Sequence, residues 1–239
     1  MKITIIGYSG SGKSTLAENL AHYHSIPKLH MDTLQFQPGW IDSDRDWMEG
    51  QMKQFLSDHR DWVIDGNYSW CCYEKRMEQA DQIIFLNFSR WNCLYRGWKR
   101  YRRYKGRVRE SMAAGCPERF DWEFIRWILW DGRTKTARVR YQNIHSTYPE
   151  KFISLKNQKE LDRFLDKVKR EWDRNRSFVR IRFRRPTSAQ LSRAVKADEI
   201  SVVDPLNHCV LLDNLETIER LGLLSQPHSV PSFRNFPFL

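Results

Sequence analysis

The stretch Gly7-Tyr8-Ser9-Gly10-Ser11-Gly12-Lys13-Ser14-Thr15 has the residue types and spacing to handle phosphates. Gly7, Gly12, Lys13 and Ser14 satisfy G-x-x-x-x-G-K-[ST] in full. Glycines let a backbone curl round an anion without Cβ clashes, and the N–H groups of such a loop and of the helix behind it point at phosphate oxygens. Gly7, Ser9, Gly10, Ser11, Gly12, Lys13, Ser14 and Thr15 therefore form the expected cradle for ATP. Lys13 is expected to bridge the outer phosphates and Ser14 to ligate Mg²⁺. The competing reading is a glycine-rich turn. It is disfavoured by context, since the strand-like run Ile3-Thr4-Ile5-Ile6 precedes the loop and a leucine-spaced helical stretch follows it.

A second acidic element lies in "WVIDGNY". Asp65 ends a short apolar run, and a parallel sheet would place it beside the phosphate loop, facing the metal directly or through water. The alternative is an aspartate that opens a turn with Gly66.

Positioning these groups requires a sheet. Five apolar runs read as strands, at Lys2–Ile6, Lys28–Met31, Trp62–Ile64, Gln82–Phe88 and Lys151–Leu155, with little polar alternation. Helical spacing appears between and after them: Leu16, Ala17, Leu20 and Ala21; Trp47, Met48, Met52, Phe55 and Leu56; Leu161, Phe164, Leu165 and Val168. Alternation of this kind predicts a parallel sheet covered on both faces. Residues 91–148 are too long for a simple crossover and are expected to hold an inserted helical lid, with helices over Trp91–Tyr104, Asp121–Trp130 and Thr134–Ser146. Beyond residue 171 the pattern changes, so residues 172–239 read as a small C-terminal extension. It has strand-like runs at Phe178–Phe183, Ile200–Val203 and Cys209–Leu212, a helix at Ser188–Ala197 and a Pro-rich end expected to be disordered.

Composition bounds the partners. The 239 residues carry a formal charge of +11, which favours a polyanionic or phosphate-rich ligand. The five cysteines make no C-x-x-C pair, and no histidines stand at metal-ligand spacing, so neither a zinc site nor a disulfide framework is signalled. No apolar run approaches membrane-spanning length and no signal peptide is evident, so cytoplasmic residence is expected.

The order of the phosphate loop, "LHMDTLQFQPGW", "WVIDGNY", "ADQIIFLNFSR" and "WILWDGRTKTARVRY" resembles the bacterial DNA topology modulation proteins, a family of adenylate kinase-like P-loop NTPases. The resemblance covers about residues 1–170. It implies an α/β fold with a five-stranded parallel sheet and a lid, binding ATP and Mg²⁺. It also places Arg96 and Arg100 on the helix after the fourth strand, where arginines stack on adenine and reach the phosphates. Arg133 falls at the lid's end, where an arginine stabilises the transferred phosphoryl group, and either Arg138 or Arg140 is a second lid arginine. Each arginine in so basic a segment also reads as a solvated surface charge.

Two departures bear on the acceptor. Adenylate kinases grip a monophosphate acceptor with arginines where this chain has Gln35 and, after Gly66, Asn67, Tyr68 and Ser69. Asp32 instead resembles the carboxylate with which sugar, shikimate or nucleoside kinases orient and deprotonate a hydroxyl, with Phe36 and Trp40 as pocket walls. The structural alternative makes Asp32 a helix cap and the aromatics core.

Residues 90–140 hold fifteen Lys or Arg against five Asp or Glu. "RGWKRYRRYKGRVR" interleaves aromatics with arginines, a pattern that suits single-stranded nucleic acid as well as a nucleotide. The leading expectation is a kinase acting on a small-molecule hydroxyl, with weak or nonspecific nucleic-acid contact. A DNA- or RNA-associated ATPase is the alternative, and a catalytically idle ATP-binding regulator the third.

Overall fold

A computed structural model describes residues 1–178, 200–204 and 209–212. The chain divides into two compact units, Met1–Arg170 and Glu171–Leu239.

The first unit is built on the parallel sheet expected from the apolar runs. Its strands are β1 (Lys2–Gly7), β2 (Lys28–His30), β5 (Trp62–Asp65), β6 (Gln82–Leu86) and β7 (Phe152–Leu155), in the spatial order β2-β5-β1-β6-β7. Every pairing between them is parallel. β1 is central, with Ile3 opposite Val63 on one side and Gln82 on the other. Ile3, Ile5, Ile6, Val63, Ile64, Ile83, Ile84 and Leu86 are fully buried, as expected of β-branched and leucine side chains in strands covered on both faces. Side chains of that size contribute about 1.5–3 kcal/mol each when buried, so the sheet is a stiff platform for the loops at its C-terminal edge.

Helices cover it. The helix α1 (Lys13–His24) buries Leu16, Ala17, Leu20 and Ala21. Asp44 caps α3 (Arg45–Asp58) by accepting from Trp47 N at 2.8 Å, and Met48, Met52 and Leu56 face inward. After α4 (Tyr73–Gln79) and β6, the long segment before β7 begins with α5 (Arg90–Tyr104), capped by Ser89, and continues through α6 (Trp122–Leu129), capped by Asp121, into α7 (Lys135–Thr147), capped by Thr134.

A short helix α2 (Met31–Gln35) and an antiparallel hairpin of β3 (Phe36–Gln37) and β4 (Ile41–Asp42) follow β2, in a stretch for which sequence patterning signals neither. Residues 105–120 lie against that hairpin. Met112, Ala113 and Cys116 form a small cluster with Phe36 and Trp40, Gly39 N donates to Gly115 O at 3.0 Å, and Cys116 Sγ lies 3.1 Å from Gln37 O.

The helix α8 (Gln158–Phe178) runs further than the apolar pattern indicates. Phe178 ends this helix rather than opening a strand, because no Gly or Pro interrupts residues 158–178. The remainder of the expected strand, residues 179–183, lies outside the described residues, as do the expected helix at Ser188–Ala197 and the Pro-rich end. In the second unit, β8 (Ile200–Asp204) and β9 (Cys209–Leu212) pair antiparallel. Among the described residues no helix is long and apolar enough to cross a membrane.

Candidate active site

The loop between β1 and α1 has the backbone that its glycines anticipate. Gly10 and Gly12 adopt φ of 78° and 96°, the left-handed region that glycine occupies without strain. A Cβ on Gly10 would come within 2.5 Å of Cys93 O. The first turn of α1 has no side-chain cap and no acidic residue, and the buried Ser11 Oγ has no hydrogen-bond partner. A helix start left uncapped in this way, behind a glycine loop, fits an anion.

Lys13 Nζ donates to Gly7 O at 3.1 Å and Tyr8 O at 3.3 Å, folded back over the loop. Burial holds its pKa below the usual lysine value, against the opposing charges of Asp32 and Asp65. Those carboxylates lie close enough to act on it, so Lys13, Asp32 and Asp65 belong to one electrostatic neighbourhood.

Ser14 Oγ donates to Asp65 Oδ2 at 2.9 Å. A hydroxyl and a carboxylate in contact at the C-terminal edge of two adjacent strands are hard oxygen donors of the kind that hold Mg²⁺. Among the described residues no three His, Cys, Asp or Glu side chains gather to cage a metal. A divalent ion here would be shared with phosphate oxygens and water, as Mg²⁺ usually is.

Sequence reading missed His30. It stands opposite Asp65 in the β2–β5 register, is 5% exposed, and its Nδ1 lies 2.5 Å from Asp65 Oδ1. Its Nε2 lies 2.9 Å from Glu18 Oε1, and Glu18 in turn pairs with Lys28. Burial lowers the imidazole pKa, but the hydrogen bonds and charges of Asp65 and Glu18 outweigh that and raise it above the usual value. A chain of polar contacts thus runs from Lys28 at the surface to Ser14.

Asn67 braces the loop from the next strand. Its Oδ1 accepts from Gly7 N at 3.0 Å and its Nδ2 donates to Gly7 O. Beneath it lies Arg76, fully buried, donating to Tyr68 O at 2.9 Å and Cys71 O at 3.2 Å. Burial pulls the Arg76 pKa down to about 10, which still leaves it charged at neutral pH.

Asp32 does not cap α2. His30 is the capping residue and makes no side-chain cap bond, whereas Asp32 lies in the first turn and its Oδ1 accepts from Tyr68 OH at 2.7 Å. Burial, and then the charge of Asp32, push the Tyr68 pKa upward, so its hydroxyl remains a donor. Phe36 and Trp40 meet edge to face at 5.2 Å, and the Arg119 guanidinium lies 4.5 Å over Trp40. Trp40 has a φ of 66°, an uncommon conformation for a bulky residue.

The arginines are dispersed. Arg96 lies against Gly12, over the Phe88 ring at 5.0 Å and hydrogen-bonded to Gln158. Arg100 and Arg109 both bind Glu118. Arg133 stacks on Tyr8 at 3.7 Å, donates to Ile128 O at 3.0 Å and Phe88 O at 2.9 Å, and does not line the cleft. Of the two further lid candidates, Arg140 lines the cleft and Arg138 does not. Trp127, which sequence reading missed, reaches from α6 to Ser9 Oγ at 3.0 Å.

One cleft of about 1770 Å³ joins Lys13, Ser14, Asp65, Arg96 and Trp127 to Asp32, Tyr68, Phe36, Trp40 and Arg100. Single-ligand pockets are commonly about 300–1,000 Å³, so this one has room for two ligands end to end.

Fold and site together define a P-loop protein of α/β architecture. No protein-family model matches the chain and no curated protein matches its sequence, so the likeness to the DNA topology modulation proteins remains one of motifs. Among solved structures it is similar to a gluconokinase from Sinorhizobium meliloti 1021, at 18% identity and a TM-score of 0.39, over 72% of this chain and 91% of that one. It is also similar to a shikimate kinase from Bacteroides thetaiotaomicron, at 14% identity and a TM-score of 0.40, over 72% and 98%. A deoxyadenosine kinase from M. mycoides matches at 12% identity and a TM-score of 0.37, over 72% and 100%. At this degree of likeness nothing about activity passes from those proteins to this chain.

Proposed function

We propose that the protein is a Mg²⁺-dependent kinase that transfers the terminal phosphoryl group of ATP to a hydroxyl of a small molecule. The observation that carries this reading is that one cleft holds, side by side, the phosphate-loop pair Lys13 and Ser14–Asp65 and the hydroxyl-handling pair Asp32–Tyr68.

ATP lies with its phosphates over the loop N–H groups, Lys13 leaves the Gly7 and Tyr8 carbonyls for the outer phosphates, and Arg96 flanks them. Ser14 and Asp65 would hold Mg²⁺, which when bound would supply charge neutralisation to the phosphates. Asp32 accepts the proton of the acceptor hydroxyl while Tyr68 fixes the carboxylate's orientation. The acceptor oxygen forms its bond to the terminal phosphorus as the bond from that phosphorus to the bridging oxygen breaks, leaving ADP and a phosphate ester. Arg133 meets the transferred group only by leaving the carbonyls of Phe88 and Ile128 when the lid closes, while Arg140 already faces the cleft. All of these residues lie within the first unit.

The test is a transfer screen with MgATP against nucleosides, sugars and hydroxy acids, with Lys13→Ala as control. Product formation by the wild type, abolished in a folded Lys13→Ala protein, is expected. A wild type that binds MgATP and phosphorylates nothing would leave the idle regulator as the reading.

A second reading has its own observation. Trp91, Tyr95 and Trp98 are 68%, 59% and 40% exposed on α5, and Arg102 stacks over Trp98 at 5.1 Å. Exposed rings among arginines suit stacking on single-stranded nucleic acid.

A further inference from the structure

Two guanidinium groups converge on one carboxylate in the acceptor half of the cleft. The Glu118 side chain is 2% exposed. Its Oε1 lies 2.8 Å from Arg100 Nε and 2.7 Å from Arg100 Nη2, and its Oε2 accepts from Arg109 Nε at 2.6 Å. Both oxygens are therefore occupied, each by a different arginine. Paired guanidinium groups hold a ligand's carboxylate or phosphate in this manner, but here the anion belongs to the chain.

Glu118 is held in place by its backbone. Its N–H donates to Arg107 O at 3.0 Å, and it bridges to Lys105 at the end of α5. Arg109 is fixed as well, with Nη1 donating to Ser111 Oγ at 2.8 Å. Removing the carboxylate would leave two largely buried cations unpaired, a costly arrangement. Asp32, Asp42, Phe36 and Trp40 line the same cleft, with the Arg119 guanidinium 4.5 Å over the Trp40 ring.

We infer that Glu118 is an internal anion seated where an acceptor's own carboxylate or phosphate would bind, so that the acceptor is an uncharged hydroxyl compound with an apolar face. Glu118 is thereby the residue that sets acceptor specificity. The inference deepens the kinase reading and rests on it for the word acceptor. The charge arrangement itself does not depend on catalysis: Glu118 takes Arg100 and Arg109 in the free protein, and Arg119 beside Trp40 is paired with Asp121 at 3.4 Å.

The test keeps binding separate from transfer. Wild type, Glu118→Gln and Glu118→Ala are loaded with Mg²⁺ and a non-hydrolysable ATP analogue, and inorganic phosphate is titrated in by calorimetry. The wild type should show no saturable phosphate site. Either variant, if folded by its melting curve, should gain a saturable phosphate site, roughly tenfold or more tighter than the detection limit of the wild-type titration, the gain expected for charge-assisted hydrogen bonds made free. Saturable phosphate binding by the loaded wild type overturns the inference, as does a folded variant that binds no more phosphate than the wild type. Where neither variant folds, the wild-type titration decides alone. The variant-to-wild-type difference reads Glu118 whether or not the protein phosphorylates anything, so an inactive enzyme sinks the kinase reading and leaves this result standing.

Discussion

His30 and Asp65 face each other across two parallel strands, and the imidazole Nδ1 lies 2.5 Å from the carboxylate oxygen that Ser14 leaves free. His30 thus fixes the orientation of the carboxylate assigned to Mg²⁺, while Glu18 fixes His30 from its other nitrogen. Partners of metal ligands commonly account for about 10–100-fold in metal affinity.

His30→Ala is accordingly expected to weaken Mg²⁺-dependent ATP binding by about 10–100-fold while ATP binding in EDTA stays within a few fold of wild type. Calorimetric titrations with and without Mg²⁺ check this. An equal loss under both conditions would assign His30 to folding alone.

Asp32→Asn should leave MgATP affinity nearly unchanged and cut transfer by about 10²–10⁴, the range for a lost general base. Tyr68→Phe removes the 2.7 Å hydrogen bond but not the carboxylate, so its loss in transfer should be smaller than that of Asp32→Asn. Steady-state rates of both variants, with ATP affinity measured separately, decide the matter. A Tyr68→Phe defect as large as that of Asp32→Asn would make the pair, rather than the carboxylate alone, the acting group.

Much of this site was legible because it is local. A strand, a glycine loop and a helix lie within residues 2–24, so the phosphate-loop motif that holds Lys13 and Ser14 can be read without knowing any tertiary contact. Asp65 was legible for a related reason, standing at the end of a strand that a parallel sheet must place beside the loop. His30 was not: its partner is 35 residues away, and only the β2–β5 register brings them together. The sequence marks Asn67 only as a position without an acceptor-gripping arginine; that its amide bonds both backbone groups of Gly7 is visible only in the fold. Arg109 ends the basic stretch RGWKRYRRYKGRVR, yet its side chain is 14% exposed and bound to Glu118, a contact between aperiodic residues that no hydrophobic spacing announces.

Truncation after Phe178 should leave a folded protein that binds MgATP, because the five strands of the parallel sheet and the residues of the cleft all precede that point. The cut is placed after α8 to keep that helix whole. Thermal melting with and without MgATP checks the expectation. Aggregation, or a melting curve that MgATP no longer raises, would place part of the first unit's core in residues 179–239.

The remaining prediction separates the kinase from a nucleic-acid protein, and it turns on which arginines are outward. Arg102, Arg103, Lys105 and Arg107 are exposed, whereas Arg109 is not. Converting the four exposed residues to Ser should leave MgATP binding and transfer within a few fold of wild type. Arg133→Ala should lower transfer by about 10³, the lower end of what a transition-state arginine supplies. It should also lower the melting temperature, since its bond to Phe88 O ties the segment after β6 back to the sheet and its bond to Ile128 O holds α6. If Arg133→Ala melts early but turns over normally once folded, the residue is a lid anchor and Arg140 becomes the candidate at the transferred group. For DNA, the wild type should show only nonspecific affinity, on the order of 10⁻⁴–10⁻⁶ M at physiological salt, falling further as salt rises. Submicromolar binding to single-stranded DNA or RNA, lost in the four-site variant with MgATP binding intact, would instead make the exposed face of α5 the functional surface.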